Sequence, residues 1–125
     1  MIVDDELDVV RVLKIYLEKK GFEVDIFIDA NLALQHFQNQ FSPLNTHPYD
    51  LMVLDIKMPK MNGFELYNRI KEHDNSIKVC FMTALDELQE YSQYKDEVSP
   101  AVGKRHFVQK PLRNEQLLDQ ISSMV

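Results

Sequence analysis

Residues 51–66 read LMVLDIKMPKMNGFEL, and this stretch decides the fold. The unbroken apolar run 51–54 is typical of a strand that is buried on both faces, and it ends at Asp55. After a loop, apolar residues recur at helical spacing: Phe64, Tyr67 and Ile70. A buried strand that leads into an amphipathic helix is half of a βαβ unit, so it predicts a parallel sheet.

The same alternation continues on both sides of this stretch. Asp29 is expected to cap the second helix, and the segment 40–50, with two prolines, is expected to form a long exposed loop. Short apolar runs predict strands at 2–3, 22–28, 79–82 and 106–109. Amphipathic stretches predict helices over 6–20, from 30 to about 37, over 86–96 and from Asn114 onward.

The two kinds of strand pattern predict the strand order. The runs at 2–3, 51–54 and 79–82 are continuously apolar, whereas 22–28 alternates, with Glu23, Asp25 and Phe27 on an outer face. Alternation is expected at sheet edges, and 106–109 is assigned to the other edge. We therefore predict an α/β, flavodoxin-like (βα)5 doubly wound parallel sheet with strand order 2-1-3-4-5. The chain, 1–125, is expected to be one domain whose first strand is cut short.

Composition excludes several classes of function. The net charge is −6 and the basic residues are dispersed, so direct nucleic-acid binding is not expected. No apolar run reaches the length of a membrane span. The single Cys80 excludes an internal disulfide and fits a reducing, cytoplasmic compartment, and the four histidines lack metal-ligand spacing.

Polar residues stand at the carboxyl ends of the predicted strands, which meet at one edge of a parallel sheet. Taken singly, each has a simpler interpretation: the first two acids could cap a helix, and the others could be turn or cap residues. Their shared position predicts one site instead. The five residues are Asp4, Asp5, Asp55, Thr83 and Lys110.

Crowded carboxylates suggest a cation. Two carboxylates about 4 Å apart repel by about 4 kcal/mol at an effective dielectric near 20. An all-oxygen site of this kind suits Mg²⁺, beside which Asp55 could attack phosphorus and form an acyl phosphate. The three glycines form no nucleotide-binding motif, so the phosphoryl group is expected to come from another molecule.

Four motifs stand in a familiar order: VDDE at 3–6, LDIKMPKMNGFEL at 54–66, MTA at 82–84 and KPL at 110–112. With these motifs the chain resembles the receiver (CheY-like) domain of two-component response regulators. The resemblance implies that Asp55 is the phosphoacceptor. It also implies a Mg²⁺ site formed by Asp5, Asp55 and the backbone carbonyl of Lys57, with Asp4 acting through water.

The resemblance also implies a switch and its partners. Thr83 and Phe107 would move on phosphorylation, Lys110 would pair with the phosphoryl group, and the Lys110–Pro111 bond would be cis. The surface formed by 86–96, 106–109 and the last helix would change. Pro59 would shape the loop after Asp55, and Gly63 would either allow a backbone conformation barred to other residues or start the third helix. The donor would be a histidine kinase or a histidine phosphotransfer protein, and the downstream target is not identified.

Three other functions remain open from the sequence. A receiver-like binding module without phosphotransfer would keep the fold alone. An aspartate-nucleophile phosphatase would need a second acid two residues after Asp55, where Lys57 stands. Flavin binding is disfavoured because the loop after the first strand is acidic. In the favoured interpretation the chain is not an enzyme for other substrates and catalyses only its own phosphorylation and dephosphorylation.

Overall fold

A five-stranded parallel sheet forms the centre of the molecule. The computed structural model describes residues 1–84, 107–110 and 113–125. The strands pair in the order β2-β1-β3-β4-β5, which confirms the predicted topology. Their bounds are β1 Ile2–Val3, β2 Ile26–Phe27, β3 Leu51–Asp55, β4 Lys78–Thr83 and β5 Phe107–Gln109.

Helices cover both faces of the sheet. Those in the described residues are α1 Leu7–Lys19, α2 Ala30–Gln40, α3 Gly63–Lys71 and α4 Asn114–Met124. The helical region expected at 86–96, as well as His106 and Pro111, lies outside the described residues. No helix in the described part of the chain combines the length and the apolar character that crossing a bilayer requires.

Side chains of the central strands pack into two separate cores, one on each face of the sheet. This explains why the sequences of these strands are unbroken apolar runs. Met52 and Leu54 of β3 pack with α2 and α3, whereas Val53 between them packs with α1 and α4. Because successive side chains of a strand point to opposite faces, a strand with a core on each side needs apolar residues at every position. Each of the four helices in the described residues buries its apolar stripe against one of these cores.

A capping arrangement defines the C-terminal end of α1 and the N-terminal end of α2, where Asp29 was predicted as the cap. Gly21 has φ +95° and its N–H donates to Glu18 O at 3.1 Å, while Phe22 N–H donates to Leu17 O at 3.1 Å. These two bonds form a Schellman motif, which ends α1 after Lys19. Asp29 caps α2, because its carboxylate accepts the Leu32 N–H at 3.0 Å.

The second strand differs from the prediction. Only Ile26–Phe27 is paired as β2, rather than 22–28, because β1 beside it is two residues long. The expectation that Phe27 lies on a polar face was wrong. Phe27 packs against the core under α2 and Ile26 against the core under α1, so even this edge strand contributes to both cores.

The loop between α2 and β3 is tied to the rest of the molecule. Its tip closes with reciprocal backbone hydrogen bonds between Ser42 and Asn45. Farther on, His47 Nδ1 lies 3.0 Å from Oδ2 of the buried Asp74, and the Ser76 hydroxyl donates to Asp74 Oδ1 at 2.7 Å. The loop predicted at 40–50 is therefore held against the connection between α3 and β4.

We expect Asp74→Asn to lower the free energy of unfolding at pH 7 by about 2 kcal/mol, the worth of hydrogen bonds to a charged group. Burial raises the pKa of Asp74, but hydrogen bonds from His47 and Ser76 outweigh it, and the net pKa is lowered. The stabilisation is therefore complete above the unfolded pKa of about 3.9 and is lost as pH falls through the lower folded pKa.

Urea unfolding at pH 7 and near pH 3 checks this prediction. Glu72→Gln, which removes an exposed acid at the start of the same connection, should leave the free energy of unfolding nearly unchanged at both pH values. An Asp74→Asn variant as stable as the wild type at pH 7 would contradict the prediction.

Candidate functional site

Three carboxylates gather at the carboxyl edge of the sheet. Asp4 and Asp5 follow β1, and Asp55 ends β3, the strand paired with β1. One oxygen from each lies within 4.8 Å of the others. Asp4 and Asp55 are buried, at 0% and 2% exposure, whereas Asp5 is exposed. The sheet topology therefore brings together the three acids that the sequence placed at one edge.

The ammonium of Lys110 sits among these acids. Its Nζ lies 2.8 Å from Asp4 Oδ2 and 3.1 Å from Asp55 Oδ1. The backbone fixes this position, since the Lys110 N–H donates to Thr83 O at 2.8 Å and so extends β5 alongside β4. Burial lowers the pKa of Lys110, but the hydrogen bond with Asp4 and the charges of Asp55 and Asp4 outweigh it, and the pKa is raised. Lys110 is therefore held in its charged form.

One ammonium does not balance three acids. Partial burial and then the neighbouring Asp4 raise the pKa of Asp5, and the more distant charge of Lys110 offsets only part of this. The proximity of Asp5 to its neighbours is therefore unfavourable while no further positive charge is bound. Oxygen ligands from one or two carboxylates are what Mg²⁺ takes in proteins, so the donor set fits that cation.

The simple capping interpretation of the first acids does not hold. The Asp4 carboxylate accepts the N–H of Glu6 at 3.0 Å, but Glu6 is itself the N-cap of α1 and its side chain makes no capping bond. Asp4 thus fixes the turn before the helix rather than the first turn of the helix. Its other oxygen remains directed to Lys110.

The loop after Asp55 is tightly turned. Lys60 has φ +69°, and the Met61 N–H donates to Pro59 O at 2.8 Å across it. Asn62 then caps α3, because its side chain accepts the Glu65 N–H at 2.9 Å. Lys57, whose carbonyl the sequence assigned to the cation, is an exposed residue two positions after Asp55.

Gly63 is required because of a close approach between backbones, and not because of a backbone conformation barred to other residues. It starts α3, and its backbone is not in the left-handed region, which of the two glycines in the described residues only Gly21 occupies. A Cβ at Gly63 would lie 2.4 Å from the Asp55 carbonyl oxygen. The constraint is therefore the close approach of the α3 N-terminus to the strand that carries Asp55.

The two residues assigned to a switch lie on neighbouring strands. Thr83 is buried at the end of β4, and its hydroxyl donates to Ala84 O at 3.0 Å. Phe107 starts β5 and is half-buried, with its ring centroid 5.4 Å from Phe81 and 6.4 Å from Phe64. Phe107 therefore packs at the border of the core that lies under α3.

One contact at this site was missed by the sequence reasoning. Glu6 Oε1 lies 3.8 Å from Lys110 Nζ. Glu6 was visible as the third acid of the run 4–6, but nothing in its spacing distinguished it from a residue of the first helix. The usable signal was the tendency of Asp to form a turn by accepting the backbone N–H of the second residue after it. In this chain Asp4 accepts the Glu6 N–H, and this turn places Glu6 at the edge of the sheet that carries the site.

Comparison with known proteins gives a consistent result. A family model described as "Response regulator receiver domain" matches residues 1–122. The heme response regulator HssR of Staphylococcus saprophyticus is 31% identical over 125 residues, which cover all of this chain and 50% of that protein. The transcriptional regulatory protein DltR of Streptococcus agalactiae is 29% identical over 97% of this chain and 49% of its own length. The chain thus spans about half the length of these relatives.

Solved structures share the fold. A receiver domain protein from Clostridium thermocellum aligns with a TM-score of 0.80 at 24% identity, covering 98% of this chain and 90% of that one. A CheY-like receiver domain protein from Methanospirillum hungatei gives 0.79 at 28% identity, covering 98% and 88%. These similarities agree with the observed fold and strand order.

Proposed function

Because the chain belongs to the response regulator receiver domain family, we propose that it accepts a phosphoryl group on Asp55 from a phosphohistidine donor. The observation that carries the proposal is the group of Asp4, Asp5 and Asp55 with Lys110 Nζ 3.1 Å from Asp55 Oδ1. A carboxylate with an adjacent fixed cation is suited to phosphoryl transfer, in which catalysis is mainly positioning and charge neutralisation.

In the proposed reaction the Asp55 carboxylate is the nucleophile. One of its oxygens forms a bond to phosphorus while the bond from phosphorus to the donor nitrogen breaks, and the donor keeps that electron pair. Lys110 neutralises negative charge on the oxygens of the phosphoryl group, and the Thr83 hydroxyl donates a hydrogen bond to one of these oxygens. Thr83 would have to leave Ala84 O to do so.

The acids would hold Mg²⁺ through Asp5, Asp55 and the backbone carbonyl of Lys57, with Asp4 acting through water. When bound, the cation supplies positive charge to the phosphoryl oxygens and offsets the repulsion among the acids. Support comes from the fit of the donor set, three carboxylates within 4.8 Å. Partial burial and then the charge of Asp4 raise the pKa of Asp5, so the neighbouring acid adds to the cost of ionising Asp5.

The proposed output is a shift in conformational population. Inward movement of Thr83 would favour an inward Phe107, whose ring already contacts the aromatic core, and so alter the surface around β5 and α4. The proposed donors are a histidine kinase or a histidine phosphotransfer protein. We also propose that 1–125 acts as one receiver domain in the cytoplasm and passes the signal to a downstream partner.

Intact mass after exposure to acetyl phosphate tests the proposal. The wild type with Mg²⁺ should gain the mass of one phosphoryl group, and Asp55→Asn should gain none because an amide does not form the acyl phosphate. A wild type that gains no mass would indicate a binding module instead, and steady hydrolysis of phosphoesters would indicate a phosphatase.

We further expect Asp5→Asn to raise the free energy of unfolding of the cation-free protein, by less than about 1 kcal/mol because Asp5 is exposed and screened. A carboxyl whose folded pKa is raised costs stability at pH values where it is ionised, and the amide removes that cost. Thermal unfolding with EDTA and with a Mg²⁺ series checks this. The variant should also lose most of the Mg²⁺-dependent rise in Tm, and an undiminished rise would contradict the role of Asp5.

A further inference from the structure

Glu6 contacts Lys110 but stands apart from the group of three acids. Its Oε1 lies 3.8 Å from Lys110 Nζ, and its side chain is 65% exposed, whereas those of Asp4 and Asp55 are 0% and 3% exposed. Its backbone N–H donates to Asp4 Oδ1 at 3.0 Å, which fixes where the Glu6 side chain begins. Glu6 therefore approaches the ammonium from the solvent side of the site.

The charges around Lys110 change during the proposed reaction. A cation held by the acids would offset the charges of Asp4 and Asp55 before transfer, whereas the transferred phosphoryl group would bring its own negative charge to Lys110. Binding of the cation would therefore weaken the contacts that hold the ammonium 2.8 Å from Asp4 Oδ2 and 3.1 Å from Asp55 Oδ1. Glu6 lies outside the group of three acids that could hold a metal, so its contact with Lys110 does not compete with the cation.

We infer that Glu6 is a positioning residue for phosphoryl transfer, which holds the Lys110 ammonium beside Asp55 once the charges of Asp4 and Asp55 are engaged elsewhere. The inference rests on the proposed function. Glu6 touches neither the cation nor the phosphoryl group in this role and acts through Lys110 alone. Its contribution should therefore appear in the rate of transfer and not in the binding of the cation.

The test uses Glu6→Gln, which keeps the side-chain length and removes the charge. Rates of Asp55 phosphorylation by acetyl phosphate are measured across a Mg²⁺ series at low ionic strength. We expect the maximal rate to fall about threefold, in keeping with the worth of an exposed ion pair, and the half-saturating Mg²⁺ concentration to stay unchanged. High salt should narrow the difference from the wild type because it screens an exposed pair.

Asp8→Asn is the matched control. It removes an acid two residues after Glu6, in the first turn of α1, and it should retain the wild-type rate. A Glu6→Gln variant with the wild-type maximal rate would overturn the inference, as would a changed half-saturating Mg²⁺ concentration, which would place the effect at the cation site. A wild type that accepts no phosphoryl group would overturn the proposed function as well, so the two failures are distinguishable.

Discussion

Replacement of Lys110 by Met is expected to lower the free energy of unfolding of the cation-free protein by about 3 kcal/mol. The ammonium is the partner of two buried carboxylates, Asp4 at 2.8 Å and Asp55 at 3.1 Å. Met has a similar length and can fill the space, so the expected cost is electrostatic. Removing one member of a buried ion pair leaves the remaining charges without compensation.

Mg²⁺ should reverse much of this loss. A cation held by the acids restores positive charge, and any ligand that binds only the folded state raises its stability with concentration. Urea unfolding with EDTA and with Mg²⁺ measures both quantities. The Mg²⁺-dependent increase should be larger in Lys110→Met than in the wild type, because the variant lacks a positive charge that otherwise repels the cation.

Lys57→Met serves as the control for loss of a positive charge near the site. Its side chain is exposed, so we expect a change within about 0.5 kcal/mol. Equal losses in the two variants would show that general charge, and not the contacts with Asp4 and Asp55, is responsible. A loss in Lys110→Met that Mg²⁺ leaves unaltered would contradict the idea that ammonium and cation act on the same acids.

The sheet order could be predicted because a strand that is buried on both faces has an unbroken apolar sequence. Residues 52–54 alternate between two cores, so each position must be apolar, and the strand is legible without any long-range information. The same strand assignments placed Asp4, Asp55 and Lys110 at one edge of the sheet. Their meeting follows from topology alone, since the carboxyl ends of parallel strands share an edge.

The features that could not be predicted from the sequence depend on contacts between segments that are far apart along the chain. The length of β2 is limited by its partner β1, and no residue within 22–28 records that limit. The contact between Glu6 and Lys110 depends on a turn that Asp4 forms. In the loop 40–50, the attachment of His47 to Asp74 joins segments 27 residues apart and has no local signature.

Gly63→Ala is expected to be the most damaging single-methyl change near the site. The added Cβ would meet the Asp55 carbonyl oxygen at 2.4 Å, its carbonyl carbon at 3.1 Å and the Ile56 Cα at 3.2 Å. All three are backbone atoms, so the clash cannot be relieved by a change of rotamer. Overpacking costs about 1–3 kcal/mol, and the helical preference of Ala over Gly returns less than about 1 kcal/mol. We expect a net loss of about 2 kcal/mol.

The clash should also reach the chemistry, because the displaced strand end carries the proposed phosphoacceptor. Gly63 N–H donates to Ile56 O at 2.9 Å, so moving the α3 N-terminus away pulls on the residue next to Asp55. Gly21→Ala is the control variant. Gly21 has φ +95° and an added Cβ would have open space around it. This variant should therefore lose about 1 kcal/mol of unfolding free energy through backbone strain alone and keep the wild-type rate of phosphorylation. Urea unfolding and acetyl phosphate kinetics separate the two variants. If Gly63→Ala unfolds no more easily than the wild type and accepts phosphoryl as fast, the contact between α3 and Asp55 does not constrain the site.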